Sequence, residues 1–266
     1  MSKRHSVFRS ADEDAATAEH IPRTPQTEHP AYLLAFEDKA FLRTDALRAL
    51  RVQLELQKPE TLMAEAGILS TVVLFGGARI PDPAVRDQAR TRTLADLSRY
   101  YDEARDLAAV VSRQSLETGG REFVIVTGGG PGVMEAGNRG AQDVGARSIG
   151  LNIVLPHEQA PNAYVTPEFS FNFHYFATRK MHFLMRACAI AVFPGGFGTL
   201  DELFETLTLI QTGRMERIPI VLFGEAFWRS IVNWEALVDA GTIGADDLDL
   251  LAARVPRADC TLAIDV

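Results

Sequence analysis

A chain of 266 residues, 47% hydrophobic and 23% charged, has the make-up of an ordinary globular protein and the length for one large α/β domain with an extension. Its formal net charge of -8 argues against a general nucleic-acid binder, because affinity for a phosphate backbone needs a basic face; a small basic pocket stays open. The two cysteines, Cys188 and Cys260, lie in unrelated segments without metal-ligand spacing, no apolar run reaches the length of a membrane span, and the N-terminus lacks a signal-type hydrophobic region, so we expect a cytoplasmic protein with reduced thiols, no metal and no membrane contact.

Residues 1–32 are polar, carry three prolines and show no sustained period, which predicts a flexible tail. From 33 to 68 the pattern turns helical: Leu47, Leu50, Val52, Leu54 and Leu56 interleave with Arg48, Arg51 and Glu55 until Pro59 interrupts. We read this as a helical extension of one or two helices, followed by the main domain over 69–266. Ser70 to Phe75 is the first core strand, ending in Gly76-Gly77-Ala78-Arg79. Arg79 stands where open α/β sheets bind ligands, and reads equally as a solvated loop arginine. Asp82 to about Glu117 predicts a long helical stretch.

Phe123 to Thr127 is a second buried strand, followed at once by Gly128-Gly-Gly-Pro-Gly-Val-Met-Glu135 and a helix of small residues, with Pro131 suited to its first position. Ser148 to Leu155 is the third strand, 156–166 a polar loop and Glu168 to Phe173 a fourth strand. His174 to Ala187 reads as a helix bearing Arg179-Lys180, a pair that by itself also suits a solvated face. Ala189 to Phe193 is a continuous apolar run, as in a parallel strand covered on both faces. Pro194 ends it, and Gly195, Gly196 and Gly198 form a turn with Thr199 as the N-cap of a helix striped by Leu200, Leu203, Phe204 and Leu207. Arg217 to Phe223 is the next strand, Glu225 to Asp239 an amphipathic helix, and Leu250 to Val255 the last strand, with a short C-terminal segment after it. Alternating strands and helices imply a Rossmann-like, doubly wound, mainly parallel sheet of about seven strands with helices on both faces.

Two glycine turns that each close a strand and open a helix would meet at one sheet edge, where free N–H groups and the helix dipole suit a phosphate. Neither follows the dinucleotide fingerprint: Glu135 and Asp201 stand where its third glycine belongs, and no Walker lysine follows. Glu135 and Glu202 lie within about a helical turn of those N-termini. Carboxylates beside an anion make sense if one bonds ribose hydroxyls and the other stabilises a cationic transition state, as in glycosidic cleavage. The competing reading makes Thr199 and Glu202 a capping box, with Glu202 bonded back to the N-cap amide.

Pro194-Gly-Gly-Phe-Gly-Thr-Leu-Asp-Glu202 resembles the PGGxGTxxE motif of the LOG (LONELY GUY) family, Arg179-Lys180 matches the RK pair before it, and Gly128 to Glu135 resembles that family's other glycine turn in its longer bacterial members. The resemblance covers about residues 65–255. It implies a Rossmann-like nucleotide-binding catalytic domain and a phosphoribohydrolase that cuts purine nucleoside 5'-monophosphates, AMP or a cytokinin riboside 5'-monophosphate, into free base and ribose 5-phosphate without a cofactor. Arg179 and Glu202 would be the catalytic pair. Gly195, Gly196, Gly198 and Thr199 would cradle the phosphate with Gly129 and Gly130, Glu135 would hold ribose or base, and Lys180 and Arg79 would assist in binding. A homodimer or larger assembly is also implied. Members often carry a "lysine decarboxylase" label, for which no pyridoxal-phosphate lysine site can be argued here. The alternative is a nucleotide or molybdenum-cofactor carrier of similar fold that binds without cleaving.

Overall fold

The computed structural model describes residues 7–156, 160–250 and 252–253. The first six residues, Cys260 and the C-terminal segment lie outside them, as do parts of the 156–166 loop and of the last predicted strand. The chain divides into two units, 1–54 and 55–266. In the first, a helix, α1 (Ala11–Ala18), forms within the stretch read as a tail, because Ser10 and Glu13 make a reciprocal capping box. A short helix, α2 (Lys39–Leu42), follows, capped by Asp38, and α3 (Arg48–Glu65) begins in the first unit and ends in the second.

The second unit holds a seven-stranded sheet: β1 (Thr71–Phe75), β2 (Val124–Thr127), β3 (Ser148–Ile153), β4 (Ser170–Phe173), β5 (Ala187–Val192), β6 (Ile220–Leu222) and β7 (Ala252–Ala253). Their order is β4-β3-β2-β1-β5-β6-β7 and every pair is parallel, so the doubly wound expectation holds. All five residues of β1 are buried because both faces are covered. Val72 and Leu74 point to one face, against Tyr100, Tyr101, Ala104 and Ala108 of α5 (Arg99–Glu117) and Val133 and Ala136 of α6 (Val133–Asp143). Val73 and Phe75 point to the other. There they meet Met63 of α3, Phe183 of α7 (Phe176–Leu184), Leu203 of α8 (Phe197–Gln211) and Trp228 of α9 (Glu225–Ile231).

Two predicted helices are broken. The 82–117 stretch splits into a 3-10 segment Pro83–Gln88, the short α4 (Arg92–Asp96) and α5, because Asp82 and Thr91 each turn a side-chain oxygen onto the backbone and start a new segment. Residues 225–239 split into α9 and α10 (Trp234–Asp239), the latter capped by Asn233. Among the described residues no helix is long and apolar enough to cross a membrane.

Pro59, expected to interrupt its helix, does not. It sits buried inside the 18-residue α3. A proline there cannot donate to the carbonyl four residues back, which is that of Glu55. His182 of α7 supplies the missing donor, its Nε2 lying 3.2 Å from the Glu55 carbonyl oxygen. Burial, with the residue 4% exposed, holds His182 below its ordinary pKa, so the neutral ring keeps its proton on Nε2 for this bond. His182→Ala should therefore strand a buried carbonyl and cost about 1–3 kcal/mol in a urea melt. Pro59→Ala restores an N–H at the right place, and should stabilise the His182→Ala chain by about 1 kcal/mol more than it stabilises the wild type. Equal effects in both backgrounds would refute the linkage.

Candidate active site

The chain builds the sheet outward from β1 to β4 and then returns to place β5 on the other side of β1. The topological switch point of the sheet is therefore between β1 and β5, and the crevice beyond their carboxyl ends is where such sheets bind ligands. Three turns meet there. Gly77, after β1, donates its N–H to the Pro194 carbonyl (2.9 Å) after β5, and accepts at its own carbonyl from Val133 N (3.3 Å) at the start of α6. Side chains would prevent the approach: a Cβ on Gly76 would lie 2.5 Å from Val133 Cγ1, and one on Gly132 would run into the Gly77 carbonyl. Gly76-Gly77 thus works as a staple between the other two turns.

The turn after β5 is the open one. The helix begins three residues earlier than predicted: Gly196 is its N-cap, without a side-chain cap, and Thr199 is the third helical residue. Thr199 is buried against the turn, where a Cβ on Gly195 would collide with its Oγ1. The capping box is consequently not formed, and Glu202 is not bonded back to a cap. Gly196 and Gly198 are exposed, and a Cβ on either would meet nothing within 4 Å. Neither has a positive φ. Packing and backbone conformation leave their lack of a side chain unexplained; close approach of a ligand explains it. Among the described residues no backbone carbonyl accepts from the N–H groups of Gly196, Phe197 or Gly198.

The charged pair comes together at this turn. Glu202, one turn into α8, is 7% exposed. Burial pushes its carboxyl up to about 7 from an ordinary 4.5, while Lys180 and Arg179 pull it down and Glu205 and Asp201 add to the rise. Arg179, in the first turn of α7, donates from Nε to the Leu151 carbonyl at 2.7 Å and stacks on Phe183, with Cζ 5.1 Å from the ring centre. A Cβ on Gly128 would lie 2.6 Å from its Nη2, so the guanidinium runs along the bare backbone of the second glycine turn. Both basic residues are partly buried, which removes the solvated-face reading. Lys180 pairs with Asp201 (3.0 Å) and Glu205 (2.9 Å) of α8. Burial alone would lower its pKa, but these hydrogen bonds hold it above the ordinary value.

The turn after β2 is a brace. Gly129 has φ 73°, its N–H donates to Thr127 Oγ1 (3.0 Å), and a Cβ there would strike Asn152. Asn162 donates to the Gly129 carbonyl from N (2.8 Å) and Nδ2 (3.1 Å), and from Nδ2 to the Gly130 carbonyl (3.0 Å). Nothing in the sequence pattern singled out Asn162. Pro131 lies before the helix, whose N-cap is Gly132. Glu135 Oε1 accepts from the buried Tyr101 hydroxyl at 2.7 Å, which ties it to α5. Arg79 is exposed on the loop after β1.

A family model described as "possible lysine decarboxylase" matches residues 134–263. A cytokinin riboside 5'-monophosphate phosphoribohydrolase of Arabidopsis thaliana is 23% identical over 159 residues, 59% of this chain and 70% of that protein. A bifunctional cytokinin biosynthesis protein of Fusarium pseudograminearum is 41% identical over 59 residues, 22% of this chain and only 12% of that much longer protein. Among solved structures, a molybdenum cofactor binding protein from Rippkaea orientalis aligns at 16% identity over 72% of this chain and 92% of its own, with a TM-score of 0.42. The two glycine turns and the Arg179-Lys180 pair stand in the order of the LOG (LONELY GUY) motifs, and the sequence matches agree with that resemblance.

Proposed function

We propose that this protein hydrolyses the N-glycosidic bond of purine nucleoside 5'-monophosphates, AMP or a cytokinin riboside 5'-monophosphate, to the free base and ribose 5-phosphate. One observation carries the reading: a buried carboxylate, Glu202, lies about one turn below a helix N-terminus where Gly196 and Gly198 leave the backbone open, near the positive charges of Lys180 and Arg179. The phosphate would sit on the N–H groups of Gly196, Phe197 and Gly198, with Gly195 and Thr199 shaping the turn. Gly129, Gly130 and Glu135 would hold the ribose side from the braced turn, and Arg79 would close over the ligand from the loop after β1.

As the C1'–N9 bond lengthens, the sugar becomes an oxocarbenium-like cation and the departing base gathers the electron pair. The ionised Glu202 stabilises the cation and takes a proton from the water whose oxygen bonds to C1'. Arg179 donates hydrogen bonds to the leaving base; a guanidinium keeps its own protons at neutral pH, so the proton the base acquires comes from solvent. Lys180 keeps α8 against α7 and offsets the negative charge around Glu202. A homodimer belongs to the same reading, supported by apolar side chains exposed on neighbouring helices, Met181 and Met185 after the basic pair and Phe197, 93% exposed, at the start of α8.

Incubated with AMP, the purified protein should release adenine, seen by chromatography, together with ribose 5-phosphate; intact AMP with measurable binding would favour a carrier. Glu202→Gln should lower kcat about 10²–10⁴-fold. The same carboxyl sets two pH effects. Because the ionised form acts, kcat/KM should rise with pH through about 7. Because the folded-state pKa is raised, the folded chain binds more protons than the unfolded one between about 4.5 and 7, and Glu202 makes stability fall as pH rises across that window. Glu202→Gln should then be more stable than wild type at pH 8, by at most about 3 kcal/mol, and equal to it at pH 4. A Glu202→Gln chain that turns over AMP at the normal rate would overturn the assignment.

A further inference from the structure

We infer that Glu55 is a positioning residue for the active site, acting through α7 to hold Arg179 in place; this rests on the function proposed above. The helix that carries Arg179 has no cap of its own: its N-cap is Tyr175, whose side chain makes no capping bond. The first N–H groups of a helix need acceptors, and a carboxylate there also meets the positive end of the dipole. Glu55, 120 residues earlier in the chain, provides both. Its Oε1 accepts from His174 N at 2.8 Å, and its Oε2 accepts from Tyr175 N at 3.1 Å and from Thr178 Oγ1 at 2.9 Å. Its backbone carbonyl, freed by Pro59, accepts from His182 one turn further along.

One residue of α3 therefore grips α7 at its start and its middle, on both sides of Arg179. Arg179 is reached from this anchor within one residue, since Thr178 is buried against Glu55 and Arg179 N itself bonds the Tyr175 carbonyl (3.3 Å). From there the guanidinium runs past the Leu151 carbonyl and along Gly128. Among the described residues the Glu55 carboxylate bonds to His174, Tyr175 and Thr178, so it acts on where the guanidinium stands through α7.

The test joins kinetics to hydrogen–deuterium exchange. Glu55→Ala should speed exchange at the amides of 174 and 175 while leaving β1 and β5 protected, and should lower kcat for AMP about 10- to 100-fold with KM moving much less. Glu55→Gln, which keeps the shape and one good acceptor, should fall between and serves in its place if the alanine chain does not fold. Added to Arg179→Ala, the Glu55 substitution should cost less than about threefold more, because the group it positions is gone. Unchanged exchange in Glu55→Ala, faster exchange with wild-type kcat, or a full independent loss on the Arg179→Ala background would each overturn the inference. A wild-type protein that releases no base would sink the functional reading alone, while the exchange comparison would still decide whether Glu55 holds the start of α7.

Discussion

A carboxylate withdrawn from water keeps its charge only where opposite charge stands close by, and the region around Glu202 is arranged by that requirement. Burial alone drives the group toward its neutral form. What keeps it near the point of ionisation is a pair of cations on another helix. Lys180, itself held by Asp201 and Glu205, contributes fixed charge, and Arg179, bonded to the Leu151 carbonyl, contributes a second cation. The geometry of α7 relative to α8 thus decides whether position 202 is an acid or a base at neutral pH, and a carboxyl poised there suits proton transfer.

The glycines divide between two tasks. Gly76, Gly129, Gly132 and Gly195 are bare because another part of the protein occupies the space a Cβ would fill. They let three strand ends interlock through Gly77. Gly196 and Gly198 face nothing, and the α8 N–H groups beside them meet no backbone carbonyl. The rigid group fixes the crevice, and the open group leaves the helix N-terminus accessible to an anion. A single glycine-rich motif would not separate these tasks; the surroundings of each residue do.

Much of this was legible in the sequence for a simple reason: it depends on neighbours along the chain. Continuous apolar runs at 71–75, 124–127 and 189–192 form parallel strands, and the glycines after all three lie in the turns at their ends. Arg179 and Glu202 were singled out by the resemblance to the LOG motifs, since spacing alone also allowed a solvated basic face and a capping box. Local patterns failed where a distant group intervened. Thr199 has the spacing of a cap, yet its side chain packs against Gly195 and the helix starts earlier. Pro59 should have broken its helix, but a histidine 123 positions later in the chain fills the vacancy it creates. Asn162, which clamps Gly129 and Gly130, sits in a loop whose partners are over 30 residues away. No periodicity carries such information.

The tie between α3 and α7 also separates the stability of the site from that of the sheet. The strands are secured by apolar burial on both faces, which is distributed over many residues and lost only on global unfolding. The start of α7 rests on a few polar bonds to one carboxylate, and its first turn can fray while the strands remain paired. Arg179 lies in that turn. Fraying would withdraw a cation from Glu202 and let burial carry its carboxyl further toward the protonated form. The same local event would remove the donor to the leaving base and the charge that keeps the base-accepting carboxylate ionised, so the two catalytic roles fail together rather than one at a time.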